Sequence, residues 1–166
     1  MNDWKKEKFL TARGYAVKNR RKNDLTASME DYLEMIFRLS ENEGFTRIND
    51  IASYLNVQAP SVTKMVQKLS DKSLVNYERY GIIRLTPAGK KLGHYLLVRH
   101  NTLYEFLDLI GVKESLHEDV EGIEHNISEN TMKYIITLVN FFNDNPALKK
   151  QFEKYQKEAR EKVEKS

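Results

Sequence analysis

The sequence contains no cysteine. Without cysteine there is neither a disulfide nor a thiolate metal site, so any bound metal must be held by carboxylates and imidazoles. The sequence also lacks a run of about eighteen apolar residues, and no apolar signal segment follows its charged N-terminus. We therefore expect a cytoplasmic protein that does not bind membranes.

The chain has only a small excess of positive charge, with a formal net charge of +3. Its distribution is nevertheless uneven. Residues 1–24 contain eight Lys and Arg against three Asp and Glu, and residues 46–99 contain nine against three. Residues 100–144 reverse this balance, with two Lys against nine Asp and Glu. A basic half suits a polyanionic partner, and an acidic half suits cations.

Hydrophobic spacing predicts a mainly α fold with one small β-hairpin. The predicted helices cover residues 29–39, 47–55, 61–71, 87–110, 114–127, 129–143 and 147–163. Two short strands, over 74–79 and 82–86, are joined by a turn that contains Gly81. The fold class is therefore a winged helix-turn-helix domain with a two-stranded wing, followed by an all-helical domain. Apolar stripes on the last two helices predict a dimer surface or the core of one chain: Met132, Ile135, Ile136, Val139, Leu148, Phe152 and Tyr155.

Residues 47–86 have the order of a DNA-reading unit, with two short helices, a tight turn between them and then a hairpin. The second of these helices is amphipathic, so its outer N-terminal face is available to the major groove. The residues predicted to contact base edges or phosphates are Gln58, Pro60, Ser61, Thr63, Lys64, Lys68, Lys72, Arg79 and Arg84. A packing unit with a solvated basic face is the alternative. The hairpin and the local positive charge favour double-stranded DNA.

Carboxylates and histidines recur at helical spacing. The candidate ligands are Asp31 and Glu34 on the first helix, His100 on the long helix, and Glu121, Glu124 and His125 in the acidic segment. Residues separated by three or four positions project from one helix face, so each cluster is suited either to binding a cation or to facing solvent. If the helices converge, the six side chains could bind two divalent ions. Oxygen-rich donors with some nitrogen suit manganese.

Two other functions remain open at this point. A binuclear hydrolase would use the same ligands, but no nucleophile, phosphate-binding loop or substrate-orienting motif accompanies them. We therefore expect no catalysis and no small-molecule substrate. A winged-helix regulator that senses iron or a non-metal ligand is the second alternative, and titration of DNA binding with metal separates it from a manganese sensor.

Five segments of the sequence carry a resemblance to a known family. They are residues 28–34 (SMEDYLE), 62–69 (VTKMVQKL), 85–89 (LTPAG), 98–100 (VRH) and 119–125 (DVEGIEH). Together they closely resemble manganese-responsive members of the diphtheria toxin repressor family over roughly residues 26–160. The resemblance is specific because the ligand positions and the reading helix agree in both order and spacing.

The resemblance implies a homodimer that represses manganese-uptake genes by binding a palindromic operator. It also implies that the six candidate ligands hold Mn²⁺, two ions per subunit. Iron-responsive relatives use Met and Cys where this chain has Asp31 and Glu121, which favours manganese. Relatives with a second metal cluster have a carboxylate where Tyr104 stands, so we expect His117 to bind no metal. The expected domains are a basic arm over 1–24, a DNA-binding domain over 25–93, and a dimerisation and metal-binding domain over 94–166.

Overall fold

The structure is a computed structural model that describes residues 25–164, so the predicted basic arm lies outside the described residues. Its helices are α1 (Ala27–Leu39), α2 (Ile48–Tyr54), α3 (Ala59–Asp71), α4 (Pro87–Leu109), α5 (Leu116–Glu124), α6 (Glu129–Asp144) and α7 (Pro146–Glu164). The strands are β1 (Thr46–Arg47), β2 (Val75–Tyr77) and β3 (Ile82–Leu85). The prediction of a mainly α fold with a small antiparallel sheet is confirmed.

Side-chain caps fix where two of the helices begin. The hydroxyl of Thr26 accepts a hydrogen bond from the backbone N–H of Met29 at 3.3 Å and starts α1. The hydroxyl of Thr86 accepts one from the N–H of Gly89 at 3.0 Å and starts α4. Each cap satisfies an N–H that has no partner within its helix. These local signals explain why both helices begin within two residues of their predicted positions.

The sheet contains the predicted two-stranded wing and one additional strand. The sheet has the order β1-β3-β2, with both pairings antiparallel. The pairing of β2 with β3 confirms the predicted two-stranded wing, and Thr46 of β1 pairs with Ile83 and so adds a third strand to the sheet. A strand of two residues is too short to show alternation in the sequence. The predicted strand over 74–79 also ends early, because Arg79–Gly81 form a 3-10 turn in which Tyr80 has a φ of 62°.

Two hydrophobic cores lie along α4. In the first half of this helix, Leu96 packs in the core formed by α1, α2, α3 and the sheet. Farther along the same helix, Leu103 and Leu107 pack against Val120 of α5 and Met132 of α6. A single continuous helix therefore connects the DNA-reading unit to the helical unit, and residues between Leu96 and Leu103 lie where the two cores meet.

Two glycines allow α4 to pack closely. A Cβ atom at Gly89 would lie 1.9 Å from the carbonyl oxygen of Leu74, and one at Gly93 would lie 2.8 Å from Cβ of Phe37 on α1. Both distances are shorter than real Cβ contacts. The lack of a side chain at Gly93 therefore brings α4 against α1, the helix that carries Asp31 and Glu34.

The predicted dimer stripe on α6 is partly internal. Met132 and Val139 are buried within the chain, so they serve the monomer core. The apolar side chains that α6 exposes are Tyr134, Leu138 and Phe141, which are 70%, 41% and 48% exposed. None of the helices within residues 25–164 is both long enough and apolar enough to cross a membrane.

Candidate metal centre and DNA-reading surface

The structure brings the six candidate ligands together in two groups between α1, α4 and α5. The first group contains Asp31, Glu121, Glu124 and His125, and the second contains Glu34, His100 and Glu124. In each group, one ligand atom from every residue lies within 4.8 Å of the others. The convergence that the helical spacing left open is therefore present in the fold, and Glu124 belongs to both groups.

The distances inside the groups are those of direct polar contact. Nε2 of His125 lies 2.9 Å from Oδ1 of Asp31 and 3.4 Å from Oε1 of Glu124. Nδ1 of His100 lies 3.1 Å from Oε2 of Glu124 and 3.9 Å from Oε1 of Glu121. Each histidine therefore faces a different oxygen of Glu124, whose side chain is only 3% exposed.

This set of donors fits divalent cations. Atoms that bind one hard cation at about 2.1–2.5 Å lie within about 5 Å of each other, which agrees with the 4.8 Å spread of each group. Four carboxylates also balance the charge of two divalent ions. Because the donors are carboxylate oxygens and imidazole nitrogens with no sulfur, they suit manganese or iron(II) better than copper(I).

A buried ion pair that the sequence did not predict adjoins the first group. Nη2 of Arg99 donates to Oε2 of Glu30 at 2.9 Å, and the two side chains are 5% and 10% exposed. Nδ1 of His125 lies 2.9 Å from the same Glu30 oxygen. Glu30 precedes the candidate ligand Asp31, and Arg99 precedes the candidate ligand His100.

The position of Arg99 in the sequence carries a signal that could have revealed this pair. Arg99 lies three residues after Leu96 and four before Leu103, so it occupies the buried stripe of α4. A charged residue on such a stripe requires a buried partner, because an unpaired charge in the interior is costly. Spacing alone does not identify that partner as Glu30, which lies 69 residues away.

A second cation contacts the other group. Arg38 lies one turn after Glu34 on α1 and donates to Oε1 of Glu34 from Nε at 3.0 Å and from Nη2 at 2.6 Å. These two hydrogen bonds hold one carboxylate oxygen of Glu34. Any cation bound beside Glu34 would therefore lie close to the positive charge of Arg38.

The charges around His125 favour its protonated form. Hydrogen bonds to Asp31 and to Glu30 outweigh burial and raise the pKa of His125 to about 10. Burial acts to raise the pKa of Glu30, but the hydrogen bond from His125 and the charge of Arg99 together leave that pKa lowered. Arg99 and protonated His125 therefore balance part of the negative charge of these carboxylates.

The pKa of His100, the second imidazole of the centre, is also raised. The hydrogen bond to Glu124 raises the pKa of His100 despite its partial burial. The pKa of Glu121 is raised by burial and then by the nearby negative charge of Glu124. Glu121 thus retains its proton more readily than an isolated carboxylate does, and a bound cation would compete with that proton.

The outer side of α3 carries most of the predicted DNA contacts. Its inner residues Val62, Val66 and Leu69 are fully buried. The exposed predicted contacts are Gln58, Pro60, Ser61, Lys64 and Lys68, while Lys72 is half-buried. Thr63 is also half-buried, and its hydroxyl donates to the carbonyl of Ala59 at 3.0 Å. The hydroxyl proton of Thr63 is therefore in use, which leaves its oxygen as an acceptor.

The wing exposes both of its predicted arginines. Arg84 is engaged within the chain, since its Nε lies 3.4 Å from Oε1 of Glu78 and its guanidinium lies 5.1 Å from the ring centre of Phe45. Arg79 is exposed at the turn. Tyr80, which the sequence did not single out, is 93% exposed beside it. The wing tip thus presents one cation and one aromatic ring to solvent.

Models of two protein-family domains match the chain. The N-terminal DNA-binding domain of the iron-dependent repressors matches residues 24–83. The metal-binding and dimerisation domain of the same repressors matches residues 86–153. The chain belongs to the iron-dependent repressor family. The resemblance drawn from the five sequence segments is therefore confirmed.

Individual members of the family resemble the chain over most of its length. The HTH-type transcriptional regulator MntR of Oceanobacillus iheyensis is 47% identical over 139 residues, which are 83% of this chain and 95% of that protein. MntR of Bacillus subtilis is 47% identical over 133 residues, or 80% and 94%. The solved structure of the manganese regulator SloR superimposes with a TM-score of 0.61 at 30% identity, over 70% of this chain and 55% of SloR. This chain thus spans just over half of SloR.

In this member of the iron-dependent repressor family, the six candidate ligands are divided between the two matched domains. Asp31 and Glu34 lie in the DNA-binding domain. The other four lie in the metal-binding and dimerisation domain. The two groups of the candidate centre each contain a side chain from both domains. His117 belongs to neither group, and its ring lies 5.2 Å from that of Tyr104.

Proposed function

We propose that the protein is a manganese-responsive transcriptional repressor that binds a palindromic operator as a homodimer. The DNA-binding domain and the dimerisation domain of its family support this function, as does the similarity to MntR and to SloR, a manganese regulator. The observation that carries the proposal is the position of the candidate metal centre. It joins a helix of the DNA-binding domain to two helices of the dimerisation domain.

Residues of the centre would link metal binding to DNA binding. Asp31 and Glu34 belong to α1, which packs in the same core as the reading helix α3. Glu121 and Glu124 belong to α5, which contributes with α4 and α6 to the other core. Bound cations would add positive charge to that of Arg99 and protonated His125, and would thereby balance the remaining negative charge of these four carboxylates. When the bound cations are removed, the unbalanced part of this negative charge favours movement of one domain relative to the other.

The two domains have to be held in one arrangement for operator recognition. A dimer that binds a palindrome must present its two reading helices about 34 Å apart, the spacing of successive major grooves. The exposed apolar side chains Tyr134, Leu138 and Phe141 of α6 supply a surface for the second copy. If cations bind more tightly when the two domains are held in this arrangement than when they move freely, cation binding and DNA binding would be coupled by about 1–3 kcal/mol.

The proposed cofactor is Mn²⁺, with two ions per subunit held by Asp31, Glu34, His100, Glu121, Glu124 and His125. Two groups that share Glu124 support a pair of ions. The donor set is also richer in oxygen than in nitrogen and contains no sulfur, which suits manganese. The family consists of transcriptional regulators, and this supports a regulatory centre without catalysis.

The proposal is tested by DNA selection at controlled metal concentrations. The full chain, stripped with a chelator, is incubated with a pool of random duplexes in buffer alone or with Mn²⁺, Fe²⁺ or Zn²⁺. We expect a palindromic sequence to be enriched with Mn²⁺ and to be lost when the chelator is restored. Enrichment of the same sequence without metal would refute metal control, and a response to Fe²⁺ but not Mn²⁺ would refute the choice of metal.

A further inference from the structure

We propose that Glu30, together with Arg99, is a positioning residue of the metal centre that fixes the ring of His125 for cation binding. This inference rests on the proposed function, because it concerns the cation that the six ligands would hold. Glu30 and Arg99 are not among those ligands. They act on the centre through the far side of one imidazole ring.

The geometry places Glu30 behind His125. Oε2 of Glu30 lies 2.9 Å from Nδ1 of the ring, whereas Nε2 lies 2.9 Å from Oδ1 of Asp31 within the ligand group. The two ring nitrogens therefore face opposite partners. A carboxylate that accepts a hydrogen bond from Nδ1–H fixes both the ring orientation and the tautomer, so that the lone pair on Nε2 is directed at the cation.

Arg99 holds Glu30 in this position. Its Nη2 donates to the same Oε2 atom at 2.9 Å, and the resulting contact of Arg99 Nη2 with His125 Nδ1 is 3.3 Å. Arginine has no acceptor, so this last contact joins two donors that share one carboxylate oxygen. Glu30 therefore connects a cation on α4 to a ligand at the end of α5.

Stability alone does not account for the Arg99–Glu30 pair. Both side chains are at least nine-tenths buried, and the cost of removing two charges from water offsets much of their attraction. Apolar residues of similar size would fill the same space without that cost. What the pair provides, and apolar residues would not, is an acceptor of fixed position for Nδ1–H of His125.

The two positioning residues lie on helices that also carry candidate ligands. Glu30 is next to Asp31 on α1, and Arg99 is next to His100 on α4. His125 is thus attached to α1 on both sides of its ring, through Asp31 and through Glu30. The orientation of this imidazole therefore depends directly on the position of the DNA-binding domain.

The experiment compares Mn²⁺ binding and histidine NMR for three variants of the full chain. Glu30→Ala removes the acceptor, whereas Glu30→Gln retains a carbonyl oxygen that accepts from Nδ1–H. Glu118→Gln removes the same charge at an exposed position of α5 and serves as the matched control. By calorimetry, we expect Glu30→Ala to weaken Mn²⁺ binding about 10- to 100-fold, the usual effect of removing such a support. Glu30→Gln should lose less of the affinity for Mn²⁺ than Glu30→Ala does, and Glu118→Gln should bind Mn²⁺ as tightly as the parent.

A second measurement uses the metal-free protein. The ¹⁵N-coupled signal of the Nδ1 proton of His125 should be visible at pH 7 in the parent and in Glu118→Gln, because Glu30 protects that proton from exchange. It should disappear in Glu30→Ala. A merely structural role for Glu30 would lower stability without selectively removing this signal, and circular dichroism reports whether each variant is folded.

Two results would overturn the inference. The first is folded Glu30→Ala protein that binds Mn²⁺ as tightly as Glu118→Gln does. The second is an unchanged His125 signal in that variant. If Glu30→Ala does not fold, Glu30→Met takes its place, because methionine fills a similar volume without a carboxylate or carbonyl acceptor. Identity of Glu30→Met with Glu118→Gln in both measurements would then exclude a positioning role. If the parent chain binds no Mn²⁺, the proposed function fails, while the metal-free NMR signal still shows whether Glu30 positions His125.

Discussion

Oε2 of Glu124 lies 3.1 Å from Nδ1 of His100, while the other oxygen of the same carboxylate lies 3.4 Å from Nε2 of His125. Glu124 is the one residue that the two ligand groups within residues 25–164 have in common. Its oxygens therefore provide a direct connection between the two groups of candidate ligands. A change at Glu124 should consequently have a different effect from a change at any other ligand.

This relationship predicts the Mn²⁺ stoichiometry of three variants. Glu124→Gln should weaken both sites, because it removes the charge they share. Glu34→Gln should weaken only the site beside His100, and Glu121→Gln only the site beside His125. Equilibrium dialysis followed by metal analysis should give about two ions per chain for the parent and one for each of the latter two variants at a limiting Mn²⁺ concentration. Loss of a single site in Glu124→Gln would contradict the shared role.

Metal affinity should rise with pH. Because Asp31 and Glu30 raise the pKa of His125 to about 10, its Nε2 is protonated at pH 7 in the metal-free protein. A cation must replace that proton, so each pH unit between about 6.5 and 10 should increase the apparent affinity up to tenfold. Calorimetry in buffers with different ionisation enthalpies measures the released proton directly. His117→Gln should leave the dependence unchanged, and an affinity that did not vary with pH would disprove the replacement.

The same pKa shift predicts how pH affects the stability of the metal-free fold. A histidine whose pKa is higher in the folded state stabilises that state below its unfolded pKa, about 6.5. This contribution of His125 should be lost as the pH rises towards about 10. Thermal melts of chelator-treated protein should therefore show a falling midpoint over this range. The melting midpoint of His125→Gln should depend less on pH than that of the parent. An equal pH dependence in the parent and in His125→Gln would contradict the raised pKa of His125.

Much of the helical layout could be predicted because its signals are local. Thr26 and Thr86 cap helices through residues three positions away, and such a relationship is visible in a window of the sequence. The ligand spacing on α1 and α5 is local in the same sense. It indicated which side chains share a helix face, although it did not show that the faces meet.

The remaining features depend on contacts that no short window contains. The approach of α1 to α4 requires Gly93 to lie against Phe37, and Glu30 meets Arg99 across 69 positions. Strand β1 has only two residues and is defined by pairing with β3. The burial of Met132 likewise follows from the packing of α6 on α4, which removed it from the predicted dimer stripe.

Gly89 should be required for the stability of the fold. A methyl group there would meet the carbonyl oxygen of Leu74, which belongs to the backbone and has little freedom to move. We expect Gly89→Ala to lower the free energy of unfolding by about 3 kcal/mol or more. Gly122→Ala is the control, because its Cβ would enter open space in α5. That variant should gain about 0.5–1 kcal/mol from helix propensity. Denaturant titration of metal-free protein measures both, and equal stability of the two would contradict the close packing.

Lys68 should contribute to DNA binding through a phosphate and without base specificity. It is exposed on the last turns of α3, beyond the N-terminal end that would enter the groove. Loss of one phosphate contact reduces the slope of log affinity against log salt by about 0.9, and we expect this change for Lys68→Ala on the selected duplex with Mn²⁺. Lys150→Ala, which removes an exposed cation from α7, should leave the slope unchanged. Because a phosphate contact is independent of sequence, Lys68→Ala should weaken binding to the selected and to a scrambled duplex by the same factor. A loss confined to the selected duplex would instead assign Lys68 to a base.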